Sequence, residues 1–395
     1  MAQESISKTV GILGGGPAGC MCAKILSDNN IDVSLIDKSD FLRTILQTGG
    51  GRCNLAHSEY DFKNLAKNYP RGEKFLYSVF SRFATKETVE FFKSIGIDTF
   101  TREKDNRIFP VCESSAQVQK SFLKSLKCKL IKDKIIQITH DKKFVLKGES
   151  GNYSFDYLVI AIGGHSDFNL IQNLGLNIET PVQSLVGLIT KEDFSTLSGV
   201  SLKNITAKVD KKVYTGDLLF THKGVSGPLI YTISSVYARK TLPYNISLKL
   251  MPETDLQKIL NDNPHKEIKN IISQFIPKSL AEYILNELKT DSMLKAHQIN
   301  SVIRDNITEK LQNFKITVNG KVADGEVVTC GGVDLKEINS KNMQSKQING
   351  LAFCGEVLDI DGFCGGFNLQ NCWSTGYVAA MGIVEELNHS SDFPA

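Results

Sequence analysis

The sequence has no long apolar run, no closely paired cysteines and no cluster of histidines. Its 395 residues contain no stretch of about eighteen uncharged apolar residues, which argues against a membrane-spanning helix. Nine cysteines without a C-x-x-C pair fit a reduced protein better than a disulfide framework, so we expect a cytoplasmic protein. The seven histidines are scattered along the chain, and we therefore expect no metal site.

An excess of either charge is also missing. The net charge is only +3, and the basic residues are mixed with nearly as many acids. This leaves no electrostatic footprint for nucleic acid or for an anionic membrane, so the expected partner is a small molecule. A composition of 41% hydrophobic and 23% charged residues is typical of a globular protein. The length favours two or three domains.

A glycine-rich turn links a predicted strand at 8–13 to a predicted helix at 17–27. The turn consists of Gly14, Gly15, Gly16, Pro17, Ala18 and Gly19. Asp37 ends the next predicted strand, at 32–37. Such a turn brings helix N–H groups to a pyrophosphate, and the later acid accepts hydrogen bonds from ribose hydroxyls. The order of strand, turn, helix, strand and acid predicts a dinucleotide site better than the alternative, a glycine-rich turn with an incidental acid.

Two further glycine clusters suit the approach of a ligand to the backbone. The first consists of Thr48, Gly49, Gly50, Gly51, Arg52, Cys53 and Asn54. Three consecutive glycines favour a backbone that runs along a flat ligand, the alternative being a flexible surface loop. The second cluster has Gly355, Glu356 and Asp359 after a strand and then Gly365, Gly366, Phe367 and Asn368 at the start of a helix. This indicates a second helix N-terminus at a ligand, the alternative being an ordinary capped helix.

No catalytic set of acid and base is recognisable. Cys53, Cys354 and Cys364 lie in separate motifs, so we interpret them as packing residues and not as a redox pair. The candidates for an acid or a base, by position only, are Arg52, His165 and His222.

These motifs resemble, in order and over nearly the whole chain, the bacterial flavoproteins of the HI0933-like family. Members of that family are named NAD(P)/FAD-dependent or aminoacetone-oxidase-family enzymes. The segments that carry the resemblance are GGGPAG (14–19), TGGGRCN (48–54), NRIFP (106–110), FTHKGVSGP (220–228), TCGGV (329–333), EIN (337–339), MQSK (343–346) and FCGEVLDIDGFCGGFNLQNCWSTG (353–376).

The resemblance implies an α/β fold with a Rossmann-type, glutathione-reductase-like FAD-binding domain that is interrupted by an insertion. The FAD-binding domain would occupy residues 1–187 and 336–395. The insertion would span 188–335, with a β-barrel-like part at about 188–250 and 312–335 and a helical part at about 251–311. The hydrophobic pattern agrees, since short strands are predicted across 198–250 and helices across 254–310.

The resemblance also implies a cofactor site. Gly14, Gly16 and Gly19 would hold the FAD pyrophosphate, and Asp37 the adenosine ribose. The segment Thr48–Asn54 would lie along the flavin. The other residues that we expect at the cofactor are Lys38 and Arg43, Ile135 at the adenine, Ala161, Gly163 and Gly164 at a strand end, Gly355, Glu356 and Asp359 at the ribityl phosphate, and Gly365, Gly366, Phe367 and Asn368 at the flavin ring.

The predicted function is that of an FAD-dependent oxidoreductase acting on an unidentified small molecule. The flavin would carry the hydride or electrons, with NAD(P)H as a candidate transient donor. The alternatives are a flavoprotein that acts on nucleic acid and a non-catalytic FAD-binding protein. The segment after Gly164 is shorter than in the family, which leaves the substrate side open. The sequence does not fix the oligomeric state.

Overall fold

The structure, a computed structural model, describes residues 8–322 and 328–391. These residues form two compact units. Unit 1 consists of Met1–Val182 with Val328–Ala395, and unit 2 of Gln183–Val327. The change of unit falls at 183 and 327, compared with 188 and 335 in the sequence prediction. Residues 323–327, within the predicted insertion, lie outside the described residues.

The elements follow one another in three runs along the chain. The first run is β1 (Thr9–Leu13), α1 (Pro17–Asp28), β2 (Asp32–Asp37), β3 (Ala56–His57), α2 (Phe62–Ala66), α3 (Glu73–Phe80), α4 (Thr85–Ser94), β4 (Thr99–Arg102), β5 (Arg107–Pro110), α5 (Ser115–Ser125), β6 (Lys129–Lys132), β7 (Ile135–His140), β8 (Phe144–Gly148), β9 (Asn152–Phe155), β10 (Tyr157–Ile160), α6 (Asn169–Gln172) and β11 (Ile178–Ser184). The second is β12 (Leu188–Thr190), β13 (Ser201–Val209), β14 (Lys212–Thr221), β15 (Gly224–Ser226), α7 (Pro228–Val236), β16 (Tyr244–Lys249), α8 (Leu256–Asp262), α9 (Ile268–Ile272), α10 (Lys278–Glu287), α11 (Ser301–Gln312) and β17 (Phe314–Lys321). The third is β18 (Val328–Val333), β19 (Leu351–Phe353) and α12 (Phe367–Ser391).

A parallel sheet with the strand order β19-β10-β1-β2-β6 is the centre of unit 1. Its middle strand β1 is apolar and buried because neighbours cover both faces of the sheet. Helices α1 and α12 pack against each other so closely that a Cβ on Gly376 would lie 2.5 Å from the Ala18 carbonyl oxygen. The predicted Rossmann-type fold is therefore confirmed, and chain segments 340 residues apart build one sheet and its helix pair.

Two runs predicted as single strands divide into separate strands, so the prediction was wrong there. The run 129–138 splits into β6 of the parallel sheet and β7 of a three-stranded antiparallel sheet with β8 and β9. The run 153–162 splits into β9 and β10 at Asp156. Asp156 ends one strand because its carboxylate accepts hydrogen bonds from the Thr9 N–H and hydroxyl, each at 3.0 Å.

Unit 2 contains a closed six-stranded barrel with the order β12-β15-β14-β13-β16-β17, together with helices α7 to α11. The barrel-like and helical parts are thus confirmed. Helix α7 lies where only strands were predicted, and the prediction was wrong for that segment. The segment is rich in β-branched residues, but Pro228 suits the first helical turn and Leu229, Ile230 and Ile233 together bury one face.

Strand β18 returns the chain to unit 1 because it pairs with β11 in a two-stranded sheet. This pairing explains why the second change of unit precedes β18. Among residues 8–322 and 328–391, no helix combines the length and apolar composition that crossing a membrane requires.

Candidate functional site

The loop Gly14–Gly19 joins β1 to α1 at the carboxyl end of the parallel sheet. Gly14 has a φ of +113°, and a Cβ there would lie 2.3 Å from the Ala161 carbonyl oxygen, so only glycine fits. A Cβ on Gly19 would lie 1.9 Å from the Gly14 oxygen, which places the helix directly on the turn. A Cβ on Gly16 would meet nothing within 4 Å. The loop therefore leaves open space at Gly16, beside the N–H groups of the first turn of α1, which have no acceptor within the helix.

Asp37 ties this loop to the end of β2. One carboxylate oxygen accepts the Gly15 N–H at 2.6 Å, and the other accepts the N–H and hydroxyl of Ser39 at 2.7 and 2.8 Å. Each carboxylate oxygen has two lone pairs, so the oxygen that accepts the Gly15 N–H remains able to accept a further hydrogen bond. Asp37 is placed to receive hydroxyls of a bound ligand while it holds the loop in place.

A cavity of about 280 Å³ opens beside Asp37. Its apolar walls come from β1, β7 and the segment after β10, and its lining includes Leu13, Gly14, Asp37, Lys38, Ile135 and Ile162. Asp133, also in the wall, accepts hydrogen bonds from the Ser150 N–H and the Tyr153 hydroxyl. Burial acts to raise the pKa of Asp133, but these hydrogen bonds outweigh it and lower the pKa. The cavity brings together three of the residues that were predicted at the cofactor, Asp37, Lys38 and Ile135.

The segment Thr48–Asn54 presents bare backbone at Gly50 and Gly51. Both are exposed, and a Cβ on either would meet nothing within 4 Å. Arg52 is exposed with its guanidinium 5.4 Å from the centre of the Phe109 ring, and Arg43 is exposed as well. Cys53 is buried instead, and burial raises the pKa of its thiol to about 12. The open side of this segment is thus glycine backbone and arginine, whereas Cys53 packs inward.

The start of α12 meets protein at the residues that were expected to meet a ligand. The Asn54 amide accepts the Gly366 N–H and donates to the Ala56 oxygen, each at 3.0 Å. A Cβ on Gly366 would lie 2.5 Å from the Ala56 carbonyl. The Asn368 amide accepts from the Gly362 N–H at 2.8 Å and donates to its oxygen at 2.9 Å. Gly366 and Asn368 therefore serve the packing and closure of this loop.

Phe367 is buried at the same place, and Gly365 lies at the edge of its ring. The Phe367 ring stacks on His57 with a centroid distance of 4.7 Å. The Nδ1 atom of His57 is buried and has no hydrogen-bond partner in the described structure, and burial lowers the pKa of this histidine. Cys364 is exposed just before Gly365. Gly365 is half-buried, as are Gly366 and Asn368.

A short segment between α2 and α3, Asn68–Arg71, holds the loop before α12 in place through hydrogen bonds and an ion pair. The Phe363 N–H donates to the Asn68 oxygen at 2.9 Å, and the Tyr69 hydroxyl donates to the Phe367 oxygen at 2.6 Å. Arg71 forms a two-point ion pair with the fully buried Asp361. The sequence analysis missed this segment because Asn-Tyr-Pro-Arg carries no glycine and no known motif. The only signal in the sequence was Pro70, which follows Tyr69 and precedes Arg71.

The strand ends of the parallel sheet bring the remaining predicted residues together. A Cβ on Gly355 would lie 2.7 Å from that of Ala18, and the Gly355 N–H donates to the Thr375 hydroxyl at 2.9 Å. Glu356 and Asp359 are half-buried in the turn that follows. Gly163 faces open space, but Gly164 packs on the side chain of Thr329. Gly355 and Ala18 are therefore in close contact, whereas Gly163 has open space beside it.

The three residues suggested as acid or base are all exposed. Arg52 and His165 are exposed in unit 1, whereas His222 is exposed in unit 2. All nine cysteines are free thiols. Within residues 8–322 and 328–391, no group of three or more His, Cys, Asp or Glu side chains is arranged to hold a metal ion. What the described site offers is a cavity beside Asp37, glycine backbone without side chains and helix N–H groups.

Comparison with known proteins agrees with this geometry. The model of the HI0933-like protein Rossmann domain matches residues 8–382. A ribosomal RNA dihydrouridine synthase of Haemophilus influenzae is 30% identical over 94% of this chain and 97% of its own length. A 3-dehydro-bile acid delta(4,6)-reductase of Clostridium scindens is 26% identical over 95% of this chain and 99% of its own length. The 3-ketosteroid delta1-dehydrogenase of Sterolibacterium denitrificans has the same fold, with a TM-score of 0.51 at 12% identity over 96% of this chain and 100% of that one.

Proposed function

We propose, from the premise that this chain belongs to the HI0933-like family of FAD-binding Rossmann proteins, that it reduces a carbon–carbon double bond conjugated to a carbonyl group. The family match spans residues 8–382 and so includes both units. It makes the chain a member of an FAD-binding oxidoreductase family. The reaction, the substrate and the electron donor are the proposal.

The described residues fit FAD. The cavity of about 280 Å³ beside Asp37 would take the adenosine, with Asp37 at the ribose and Ile135 at the base. The open space at Gly16 lies at the N-terminus of α1, where a pyrophosphate is stabilised by backbone N–H groups and the helix dipole. The bare backbone of Gly50 and Gly51 would lie along the ring system. When bound, FAD supplies hydride transfer, and the protein supplies its orientation and the surrounding charges.

The names of the two full-length relatives describe one kind of chemistry. A dihydrouridine synthase saturates the 5,6 double bond of uracil, which is conjugated to the C4 carbonyl. A delta(4,6)-reductase of a 3-dehydro-bile acid saturates double bonds conjugated to the 3-oxo group. In both substrates the carbonyl accepts the charge that develops when hydride adds to the far carbon. The shared substrate feature is therefore a conjugated enone or its uracil equivalent.

Uridine in ribosomal RNA is the first candidate substrate. The single observation that carries it is the 30% identity to the synthase, which runs through 94% of this chain and 97% of that protein. The expectation of no nucleic-acid partner, drawn from the net charge of +3, remains a competing prediction. A small cyclic enone is the second candidate, favoured by the 26% identity to the bile-acid reductase. NAD(P)H is proposed as donor in either case.

The test begins with the cofactor. We expect the purified protein to be yellow and to release FAD, not FMN, on heating, because Asp37 and the pyrophosphate loop serve the adenosine diphosphate half. The loaded protein is then mixed anaerobically with NADH and with NADPH while flavin absorbance is followed. Release of FMN alone, or a colourless protein that does not take up added FAD, contradicts the assignment.

The substrate is tested with the donor that reduces the flavin. Ribosomal RNA transcribed in vitro, and therefore unmodified, is incubated with protein and donor, and dihydrouridine is measured by mass spectrometry of the digested RNA. Reactions without donor are the matched control. We expect dihydrouridine only in the complete reaction. Consumption of a 3-oxo-4-ene steroid without dihydrouridine formation selects the second candidate, and failure with both substrates refutes the proposed reaction.

A further inference from the structure

One side of the barrel in unit 2 carries lysines in a regular arrangement. Strands β14, β13, β16 and β17 are neighbours, and residues paired across an antiparallel sheet lie on the same face. Lys208 on β13 pairs with Ser247 on β16, and Ser247 pairs with Lys315 on β17. Lys208 and Lys315 are therefore two strand spacings apart, about 10 Å. They form one row with a serine between them.

A second row runs beside the first. Thr206 on β13 pairs with Thr215 on β14 and with Lys249 on β16. The residues that alternate with these along the strands, such as Ala207, Leu248 and Ile316, are fully buried in the barrel. The rows consequently point outward, and we call them the outer strand face, which consists of Thr206, Lys208, Thr215, Ser247, Lys249 and Lys315. It contains no acidic and no aromatic side chain.

The charge of this face is neutralised in part. Lys249 is 2.9 Å from Glu253. Lys208 and Lys315 are exposed and form no ion pair within the described part of the chain. Val213, which pairs with Lys208, is a large apolar neighbour and is 61% exposed. Two lysines without an ion pair thus lie among neutral hydroxyl groups.

We propose that the outer strand face binds the sugar–phosphate backbone of double-helical RNA, an inference that rests on the proposed action on ribosomal RNA. Lysine, serine and threonine are the residue types that contact phosphate and sugar oxygens. RNA duplexes are recognised largely through phosphates and 2′-hydroxyls of the shallow groove, not through base edges. Single-stranded RNA needs aromatic side chains for stacking, and this face has none. The net charge of the chain is small because acidic residues elsewhere balance these lysines, so the net charge does not indicate this face.

Charge reversal at two positions tests the proposal in the FAD-loaded, full-length protein. The probe is a fluorescein-labelled RNA duplex of about 20 base pairs, with the matching single strand and DNA duplex as comparisons. We expect Lys208→Glu with Lys315→Glu to weaken duplex binding by at least about tenfold and to lower the salt dependence of log Kd by about two. The RNA duplex should bind more tightly than the single strand or the DNA duplex.

Matched variants separate this surface from general charge. Lys258→Glu with Lys278→Glu makes the same change of charge on exposed positions of α8 and α10 and should leave duplex binding within about twofold. Lys208→Arg with Lys315→Arg should retain binding, because arginine also contacts phosphate. Unchanged binding in the first variant, an equal loss in the helix variant, or tighter binding of the single strand overturns the proposal.

Turnover distinguishes failure of this inference from failure of the proposed function. With ribosomal RNA transcripts, the Lys208→Glu and Lys315→Glu variant should raise KM for dihydrouridine formation and leave kcat and flavin reduction unchanged. Equal KM in variant and wild type refutes the surface while the function stands. If the wild type binds the duplex and the charge-reversal variant does not, the RNA-binding surface is supported. If the wild type nevertheless forms no dihydrouridine, the proposed function fails on its own.

Discussion

The loop Gly14–Gly19 and the loop Gly362–Gly366 each lead into a long helix of unit 1, but their glycines have different neighbours. In the first loop, a Cβ on Gly16 would enter open space. In the second, a Cβ on Gly366 would meet the Ala56 backbone at 2.5 Å, and one on Gly362 would meet the Tyr69 ring at 2.9 Å. The first loop is shaped around a space for ligand, and the second around the protein itself. A glycine before a helix therefore indicates that another group lies close to the backbone, but not whether that group belongs to a ligand or to the protein.

The largest effect is expected at Gly366. Gly366→Val should lower the free energy of unfolding by about 4 kcal/mol or more, because the side chain collides with the Ala56 backbone and the φ of +100° is strained for valine. Chemical denaturation measures the loss. Gly16→Val is the matched control, since its φ is −75° and the space is open. It should keep the fold and lose FAD binding. A stable Gly366→Val protein would remove the distinction between the two loops.

The ion pair under the second loop should give the next largest effect. Arg71→Ala leaves the carboxylate of Asp361 buried without its charge partner, which typically costs about 3 kcal/mol of unfolding free energy. Arg71→Lys should restore part of this loss. Lys86→Ala, which removes an exposed pair with Glu90, should change stability by less than about 0.5 kcal/mol. If both alanine variants behave alike in denaturation, Asn68–Arg71 does not hold the loop.

The first loop is tested through its carboxylate. Asp37→Ala should weaken FAD binding by about 1.5–3 kcal/mol, the usual size for hydrogen bonds to a charged group. The fold should survive, although the Gly15 N–H loses its acceptor. Asp32→Ala, an exposed position at the start of the same strand, should leave FAD affinity unchanged. Calorimetric titration with FAD compares the two variants, and equal affinities would mean that Asp37 only supports the loop.

The smallest effect is expected from the cysteines. Burial raises the pKa of Cys53 to about 12, and a hydrogen bond with Cys22 together with burial raises the pKa of Cys354. Both should therefore remain neutral thiols and resist iodoacetamide between pH 7 and 9, whereas the exposed Cys364 is alkylated. Peptide mapping by mass spectrometry checks this, with the exposed Cys112 as the positive control.

Cys364→Ser should then leave the rate of flavin reduction within about twofold, since Cys53, Cys354 and Cys364 lie in separate sequence motifs and form no closely spaced redox pair in the sequence. Stopped-flow absorbance with the better nicotinamide measures that rate. A large loss with FAD still bound would give the second loop a chemical role that the first lacks.

Local pattern was sufficient for the elements around the first loop. The helix beginning at Pro17 and the strand ending at Asp37 form as expected, because periodicity and a proline at the first helical position act over a few residues. Helix α7 was not predicted, because its apolar run fits a strand or a helix until the partners of Leu229 and Ile233 are known. Asn368 was expected at the ligand, but its amide closes the loop at Gly362.

The sequence by itself determined the Rossmann-type turn, since strand, glycine turn, helix, strand and acid follow one another within about 30 residues. The resemblance of its motifs to the HI0933-like family implied the inserted barrel. Only the tertiary structure decided which glycines face open space, that Asn68–Arg71 fastens the loop before α12, and that Lys208 and Lys315 share one face. These facts depend on contacts between residues far apart in the chain. Such contacts arise when the core packs and leave no local trace in the residues that make them.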